Sequence, residues 1–466
     1  MGMLFRFYFG RLAWNSVAIS SQLQAMHAED LVISTSRKIA GMSLNQGVAP
    51  INAVGLLLGV CCMAFCFIGL NMVQPWLLEH HLNLPNSEMG DATGTLGAIG
   101  QIITVLLAGA MGALADQKGR RLVLTLGVVV MGVGILIAPL VSTLSGLIVS
   151  RTVFSIGRTA VAACFLIVVA DYVQKNSRGK WNAIQGVTFG IGSILAATVI
   201  VRLPKWLLER GWDVIDAGYA THFVMVGAAG VSALVLALML RADGPREGVE
   251  HQNLWALIRQ GVGHIRQPGV RLAYFAGFAS GANMAVIGTY LTLWTTGHAV
   301  ATGVGFAQGL ALGGVLMVII QLVALAAMPA IGVLNDRAKP LVALQISLAV
   351  AVAGYGSTYL AADPSALSGK LSAALLSIGQ SAVIISSQVF VQAEAPVKIR
   401  GTIIGFYTVC SGLGAAVILK LSGYVFDSWL LTGPFVLTSA VNAVVLVLAV
   451  LLGPAIGRER ARIASG

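Results

Sequence analysis

The sequence predicts an all-α integral membrane protein, with twelve transmembrane helices arranged as two six-helix pseudo-symmetric bundles. Three observations predict it: an apolar, charge-poor composition, twelve apolar stretches of spanning length, and a pair of polar loops that recurs in the second half of the chain. Hydrophobic residues make up 57% of the 466 positions, charged residues 10%, and the mean hydropathy is +0.86. A soluble globular chain carries about 25% charged residues, so this chain lacks the polar surface a water-soluble fold of its size needs. Its 55 glycines are costly in an aqueous helix but useful in a bilayer, where small residues let helix backbones approach.

Crossing about 30 Å of hydrocarbon takes roughly 20 residues. Such stretches fall near 52–78, 91–115, 122–141, 146–170, 183–201 and 220–240 in the first half. In the second half they fall near 272–296, 303–333, 341–362, 368–393, 401–425 and 433–455. Between them the domains read as a first bundle at 51–240, a central cytoplasmic linker at 241–270, a second bundle at 271–455 and a cytoplasmic tail at 456–466. Residues 1–50 are only moderately apolar. They read as an N-terminal cytoplasmic tail or a mis-called start, with Met42 as the alternative. In the linker Leu254, Leu257, Ile258, Val262 and Ile265 recur at helical spacing. That pattern suits either a helix lying on the membrane surface or a plain linker helix.

The net charge of +11 reports topology. With both ends cytoplasmic, the outer loops hold only Arg202, Lys205, Arg210 and Lys370, and nearly all other Lys and Arg face inward. This is the positive-inside asymmetry, and it removes any need for a nucleic-acid partner. The expected partners are a small-molecule substrate and membrane lipids, with the chain a monomer and multi-pass in a bacterial inner (plasma) membrane. Cys61, Cys62, Cys66, Cys164 and Cys410 all lie in apolar spans and read as buried free thiols. There is no phosphate-binding Gly-x4-Gly-Lys-Ser/Thr loop and no His-Glu-x-x-His, so neither ATP drive, an enzymatic activity, a cofactor nor a metal site is expected. Glu79-His80-His81 is the one compact metal-like cluster, and it is placed in an exposed loop.

The halves resemble each other. Gly112-Ala-Leu-Ala-Asp116-Gln-Lys-Gly119-Arg120-Arg121 follows span 2, and Gly332-Val-Leu-Asn-Asp336-Arg337-Ala-Lys339 follows span 8. Asp171 then Arg178-Gly179 follow span 4; Glu394 then Arg400-Gly401 follow span 10. Both pairs stand about 220 residues apart, the offset of two parallel six-span repeats.

The first loop resembles the signature Gly-x-Leu-x-Asp-x-x-Gly-Arg-Arg of the major facilitator superfamily of secondary transporters. It matches at Gly112, Leu114, Asp116, Gly119, Arg120 and Arg121. Span 4 begins Arg151-Thr-Val-Phe-Ser155-Ile-Gly157, similar to that family's Arg-x-x-Gln-Gly-x-Gly with Phe154 and Ser155 substituted. Across roughly 52–455 the resemblance implies this family's fold and alternating-access transport. It also implies a conformational latch that stabilises an outward-facing state, drawn from Gly112, Asp116, Gly119, Arg120, Asp336, Arg337, Asp171, Arg178, Glu394 and Arg400. Span 5 reads Gly186-Val-Thr-Phe-Gly190-Ile191, with Ile191 where the family's antiporter signature has Pro. This departure weakens a drug/proton antiporter.

Charges within the spans carry the functional reading. No Asp, Glu or His is placed well inside a span, whereas Arg151, Arg158 and Lys420 are. Lys420 is close enough to an outer end to snorkel. Arg158 lies about 12 residues into span 4, ~18 Å from that end, and a charge there costs at least ~2.5–3.5 kcal/mol. Arg151 is seven residues earlier, so the face Arg151–Ser155–Arg158 is expected to line a central cavity. Guanidinium binds carboxylate or phosphate bidentately and stays charged, which points to a small anionic or zwitterionic solute. Amides and hydroxyls that orient a ligand or glue helices follow: Asn71, Gln74, Gln101, Gln185, Asn283, Tyr290, Gln308, Gln321, Gln380, Gln388, Gln392 and Tyr407. Asn71, Asn283, Tyr290 and Gln388 are the candidates for the site. With no intramembrane acid, coupling is expected to be anion exchange, uniport, or symport in which the substrate brings the proton. The competing functions are efflux of amphipathic drugs or a siderophore-like chelate, and a transporter-like receptor or sensor.

Overall fold

A backbone in hydrocarbon must satisfy its own hydrogen bonds, and the helix does this within one segment. The computed structural model describes residues 38–39, 42–174, 177–242, 254–361, 363–396 and 399–464. Among them are twelve helices long and apolar enough to cross a membrane. Spans 1 to 6 are Pro50–His81, Met89–Lys118, Arg120–Leu140, Leu144–Tyr172, Gly179–Leu208 and Val214–Met239. Spans 7 to 12 are Pro268–Ala301, Phe306–Arg337, Pro340–Leu360, Leu367–Glu394, Arg400–Ser428 and Gly433–Glu459. Span 1 ends in a π-helical turn, Leu77–His81, so Glu79, His80 and His81 belong to a helix end and not to a loop. His80 packs on Trp76 and on Phe306 of span 8. No group of three metal-ligating side chains occurs among the described residues. The five cysteines are free thiols.

The two-fold repeat is visible in packing as well as in the loops. A Cβ at Gly134 of span 3 would fall 2.5 Å from the Phe154 backbone nitrogen of span 4. One at Gly354 of span 9 would fall 2.6 Å from the Leu375 carbonyl oxygen of span 10. These glycines stand about 220 residues apart, and each lets two neighbouring backbones touch, the small-residue contact that drives helix association in lipid.

Helix Leu254–Gly263 docks at the junction of spans 7 and 11. Tyr274 donates its hydroxyl to the Gly261 carbonyl at 3.1 Å, and the Gly261 backbone abuts the Phe406 ring. Strands β1 (Lys38–Ile39) and β2 (Met42–Ser43) pair antiparallel. The segment after them is held firmly: Leu44 is fully buried, Asn45 Nδ2 donates to the Asp171 carbonyl at 2.6 Å, and Gln174 Nε2 donates to the Leu44 carbonyl. This stretch of the expected tail therefore packs against the end of span 4.

The bundles meet at one end and part at the other. We call the end carrying Gly119 the basic end, since most cations cluster there. Along span 2, a Cβ at Gly94 would fall 2.5 Å from the Leu419 carbonyl of span 11, whereas Gly109 and Gly112 face open space. Spans 5 and 8 behave alike. Gly314 presses on the Ala197 carbonyl near the far end, whereas Gly186 and Gly332 near the basic end meet nothing.

Candidate functional site

The space left between the bundles is a cavity of about 500 Å³, walled by spans 1, 2, 4 and 5 on one side and 7, 8, 10 and 11 on the other. Among the described residues, Arg151 and Arg158 are the two charged side chains in its wall. Ser155 lies between them, so the face expected of span 4 does line the cavity.

Three helices hold the two guanidinium groups in two rungs. On the outer rung, Asn71 of span 1 donates its amide to its own helix at the Phe67 carbonyl, 2.8 Å away. That bond turns Oδ1 toward Arg151, whose Nη2 donates to it at 2.6 Å. Arg151 is only 9% exposed, and its Nε and Nη1 have no partner among the described residues. Opposite them on span 2 is Gly100, where a Cβ would stand 3.5 Å from Nε. On the inner rung, Arg158 Nη2 donates to Thr104 Oγ1 at 2.6 Å, and its guanidinium lies 5.1 Å from the centre of the Phe67 ring. A cation over an aromatic face gains about 0.5–2 kcal/mol, short of what burying a full charge costs.

The opposite wall is neutral. Gln321 and Gln380 supply amides, Thr289 and Thr408 hydroxyls, and Met284 and Met317 apolar surface. Gln101 joins them from span 2.

Three of the expected binding residues stand elsewhere. Asn283 is fully buried against Asn442 of span 12, each amide donating to the other at 3.0 and 2.6 Å. Tyr290 donates its hydroxyl to the Leu419 carbonyl at 2.8 Å, at the closed end. Gln388 is exposed and lies outside the cavity wall. Asn283 and Tyr290 share a helix face, but that face turns to spans 11 and 12, which periodicity alone does not reveal. Phe67 and Thr104 were not anticipated, because neither an aromatic nor a threonine is unusual in an apolar span.

The loop charges form a local network. Gly119 joins spans 2 and 3 at φ 92°, a conformation open to glycine and costly for other residues. It places Arg120 against Asp116 at 3.2 Å and against Asp171 at the end of span 4. All three residues belong to the first bundle. In the second half Asp336 and Arg337 are exposed and make no ion pair among the described residues. Glu394 lies against Gly269 at the start of span 7. Gly112 faces open space, and Arg400 is exposed at the start of span 11. The Arg178 side chain lies outside the described residues.

Contacts between the bundles gather at the far end. Lys420 of span 11 reaches Asp91 at 2.5 Å and Thr95 at 2.9 Å on span 2. Asp427 accepts the backbone N–H groups of Gly90 and Asp91 at 2.8 and 2.7 Å, capping the start of span 2. Lys420 therefore has a half-exposed counter-ion, Asp91, at the end of the bundles toward which it was expected to snorkel. Span 2 begins two residues earlier than the apolar stretch, which carries Asp91 into its first turn.

The family profile described as Major Facilitator Superfamily matches residues 56–419. Magnetosome protein MamH of Paramagnetospirillum magneticum is 22% identical over 401 residues, covering 84% of this chain and 89% of that protein. Magnetosome protein MamZ of the same organism is 23% identical over 383 residues, covering 78% of this chain and 57% of MamZ. The crystal structure of nucleoside transporter NupG superposes with a TM-score of 0.69 at 14% identity, over 87% of this chain and 99% of NupG. That likeness speaks for the fold alone. The profile covers well over half of the chain and the fold agrees with it: this chain belongs to the Major Facilitator Superfamily.

Proposed function

We propose that this secondary transporter moves a small anionic or zwitterionic solute across a bacterial inner membrane by alternating access, with the anion held at Arg158 and Arg151. One observation carries the reading: a cavity between the bundles whose charged wall residues are two arginines. Guanidinium groups in a low-dielectric cavity attract an anion far more strongly than they do in water. Two guanidinium nitrogens of Arg151 have no hydrogen-bond partner among the described residues. The basic end is taken as cytoplasmic, with both termini there, so the arrangement described is open to the cytoplasm. The relatives named as magnetosome proteins add a second location, a magnetosome-type membrane, which fractionation of a tagged chain distinguishes from the inner membrane.

The test is uptake of a panel of organic anions into proteoliposomes. Transport of at least one anion, lowered about tenfold or more by Arg158→Ala, is expected; unaltered transport in that variant overturns the anion site. Export of an amphipathic drug or a siderophore-like chelate is the second reading, favoured by Phe67, Phe189, Met284 and Met317 in the wall. It predicts transport of lipophilic cations or neutral chelates that survives Arg158→Ala. A receptor that binds without transport predicts saturable binding and no uptake.

A further inference from the structure

We propose that the substrate is a two-ended dianion, with one negative group on Arg151, the other on Arg158, and a largely apolar skeleton between them. This deepens the anion-carrier reading and rests on it. Charge balance comes first. Among the described residues the cavity wall holds two cations and no carboxylate. An uncompensated charge in a dry site is expensive. A monoanion leaves one of the two guanidinium groups without a counter-charge, whereas a dianion neutralises both.

Geometry then separates the two charges. Arg151 and Arg158 stand on different rungs, each with its own hydrogen-bond partner: Asn71 for the first and Thr104 for the second. Asn71 lies four residues beyond Phe67 on span 1, and Thr104 four beyond Gly100 on span 2. The rungs are thus about 6 Å apart on those helices and about 10 Å apart on span 4, at 1.5 Å per residue. Two cations held on separate rungs by separate partners match a molecule charged at each end better than one compact doubly charged head.

The material between and opposite the rungs fits such a skeleton. Ser155 is the polar group between them on span 4, and the facing wall presents Met284, Met317 and Ile320 beside its neutral amides and hydroxyls, with no charge. Both cations belong to the first bundle, so the dianion lies lengthwise along span 4 with its apolar side toward the second. The free N–H groups of Arg151, Nε and Nη1, lie on the outer rung. One end of the substrate accepts charge-assisted hydrogen bonds there, beside the bond that Nη2 makes to Asn71.

The experiment titrates the purified full-length carrier with glutarate, adipate and suberate, and with valerate, hexanoate and octanoate as singly charged partners of equal carbon number. Binding is followed by isothermal titration. One dicarboxylate is expected to bind at least tenfold more tightly than its monocarboxylate partner, with an optimum in chain length. Arg151→Gln and Arg158→Gln are each expected to reduce that dicarboxylate to the monocarboxylate level. Arg151→Lys and Arg158→Lys, which keep the charge, retain a preference for two charges. Equal affinity for one and two charges in the wild-type protein overturns the dianion and leaves the anion carrier standing. Tighter binding of a phosphate monoester than of every dicarboxylate overturns the two-ended geometry. Failure of every anion to bind, with uptake unaltered in Arg158→Ala, overturns the reading beneath it.

Discussion

At the residue scale, the arginine pair depends on small neighbours that aim it. Asn71 is oriented because its amide is already committed to the Phe67 carbonyl, which leaves its oxygen for Arg151. Asn71→Leu removes that oxygen and leaves the third guanidinium nitrogen, Nη2, without its partner as well. A buried unsatisfied donor costs about 1–3 kcal/mol, and a site loosened in this way binds less tightly. We expect Asn71→Leu to lower thermal stability and to weaken anion binding severalfold, read by thermal unfolding with and without a transported anion. Thr104→Val acts likewise on Arg158, since it keeps shape and removes the hydroxyl that accepts at 2.6 Å. The arginines themselves were legible in the sequence, because a charge deep in an apolar span has few explanations. Their partners were not. Thr104 and Phe67 become functional only by being opposite Arg158, and opposition across helices is a tertiary fact. The amide Asn283 shows the converse: placed deep in span 7, it is spent on Asn442, one polar group gluing another.

At the element scale, the bundles are assembled where glycine lets backbones touch. Gly134 faces the Phe154 backbone and Gly354 faces the Leu375–Leu376 backbone, so a larger side chain at either place must push two helices apart. Overpacking of this kind costs about 1–3 kcal/mol. Gly134→Val and Gly354→Val are expected to lower the unfolding temperature by similar amounts, because the two contacts are repeats of each other. A much smaller effect for Gly354→Val contradicts that equivalence. Gly119 is required for a different reason. Its positive φ turns the chain between spans 2 and 3 and delivers Arg120 to Asp116 and Asp171. The helices were readable from length and hydropathy, with ends displaced by a few residues. Those displacements matter at Asp91, which becomes a first-turn residue paired to Lys420, and at His81, which becomes a helix end.

At the scale of the whole molecule, the structure is one arrangement of two bundles, sealed at the far end and open at the basic end. The seal consists of the Lys420–Asp91 pair, the Asp427 cap on span 2, and the Tyr290 hydroxyl on the Leu419 carbonyl. An exposed ion pair contributes about 0.2–1 kcal/mol, and an N-terminal cap about 1 kcal/mol. Their sum is comparable with the few kcal/mol that separate conformers in a two-state protein. Lys420→Ala with Asp427→Asn is therefore expected to shift the population toward an arrangement open at the far end. The check is labelling of a cysteine introduced at Ser422, buried in the seal, in a background lacking the five native cysteines. Faster labelling by an impermeant maleimide from that side is the expected result, and an unchanged rate removes these contacts from the gate. The network at Arg120 ties spans 2, 3 and 4 of one bundle together. It is intact while the basic end is open, so in this arrangement it holds helices of one bundle to each other and does not join the two bundles.

The sequence by itself determined that this chain crosses a membrane twelve times, that it consists of two related halves, and that arginine stands where lipid forbids an unneeded charge. Each of these rests on local quantities, namely hydropathy over a spanning length, loop charge, and the cost of a single buried ion. Only the tertiary structure decided which polar groups share the cavity, that Asn283 and Tyr290 are spent on helix contacts, and that the bundles are sealed at the end bearing Lys420, Asp91 and Asp427. A helix has several faces of nearly equal polarity in such a sequence. Which face meets a partner, and which meets the cavity, is settled by how twelve helices pack and not by the period of any one of them.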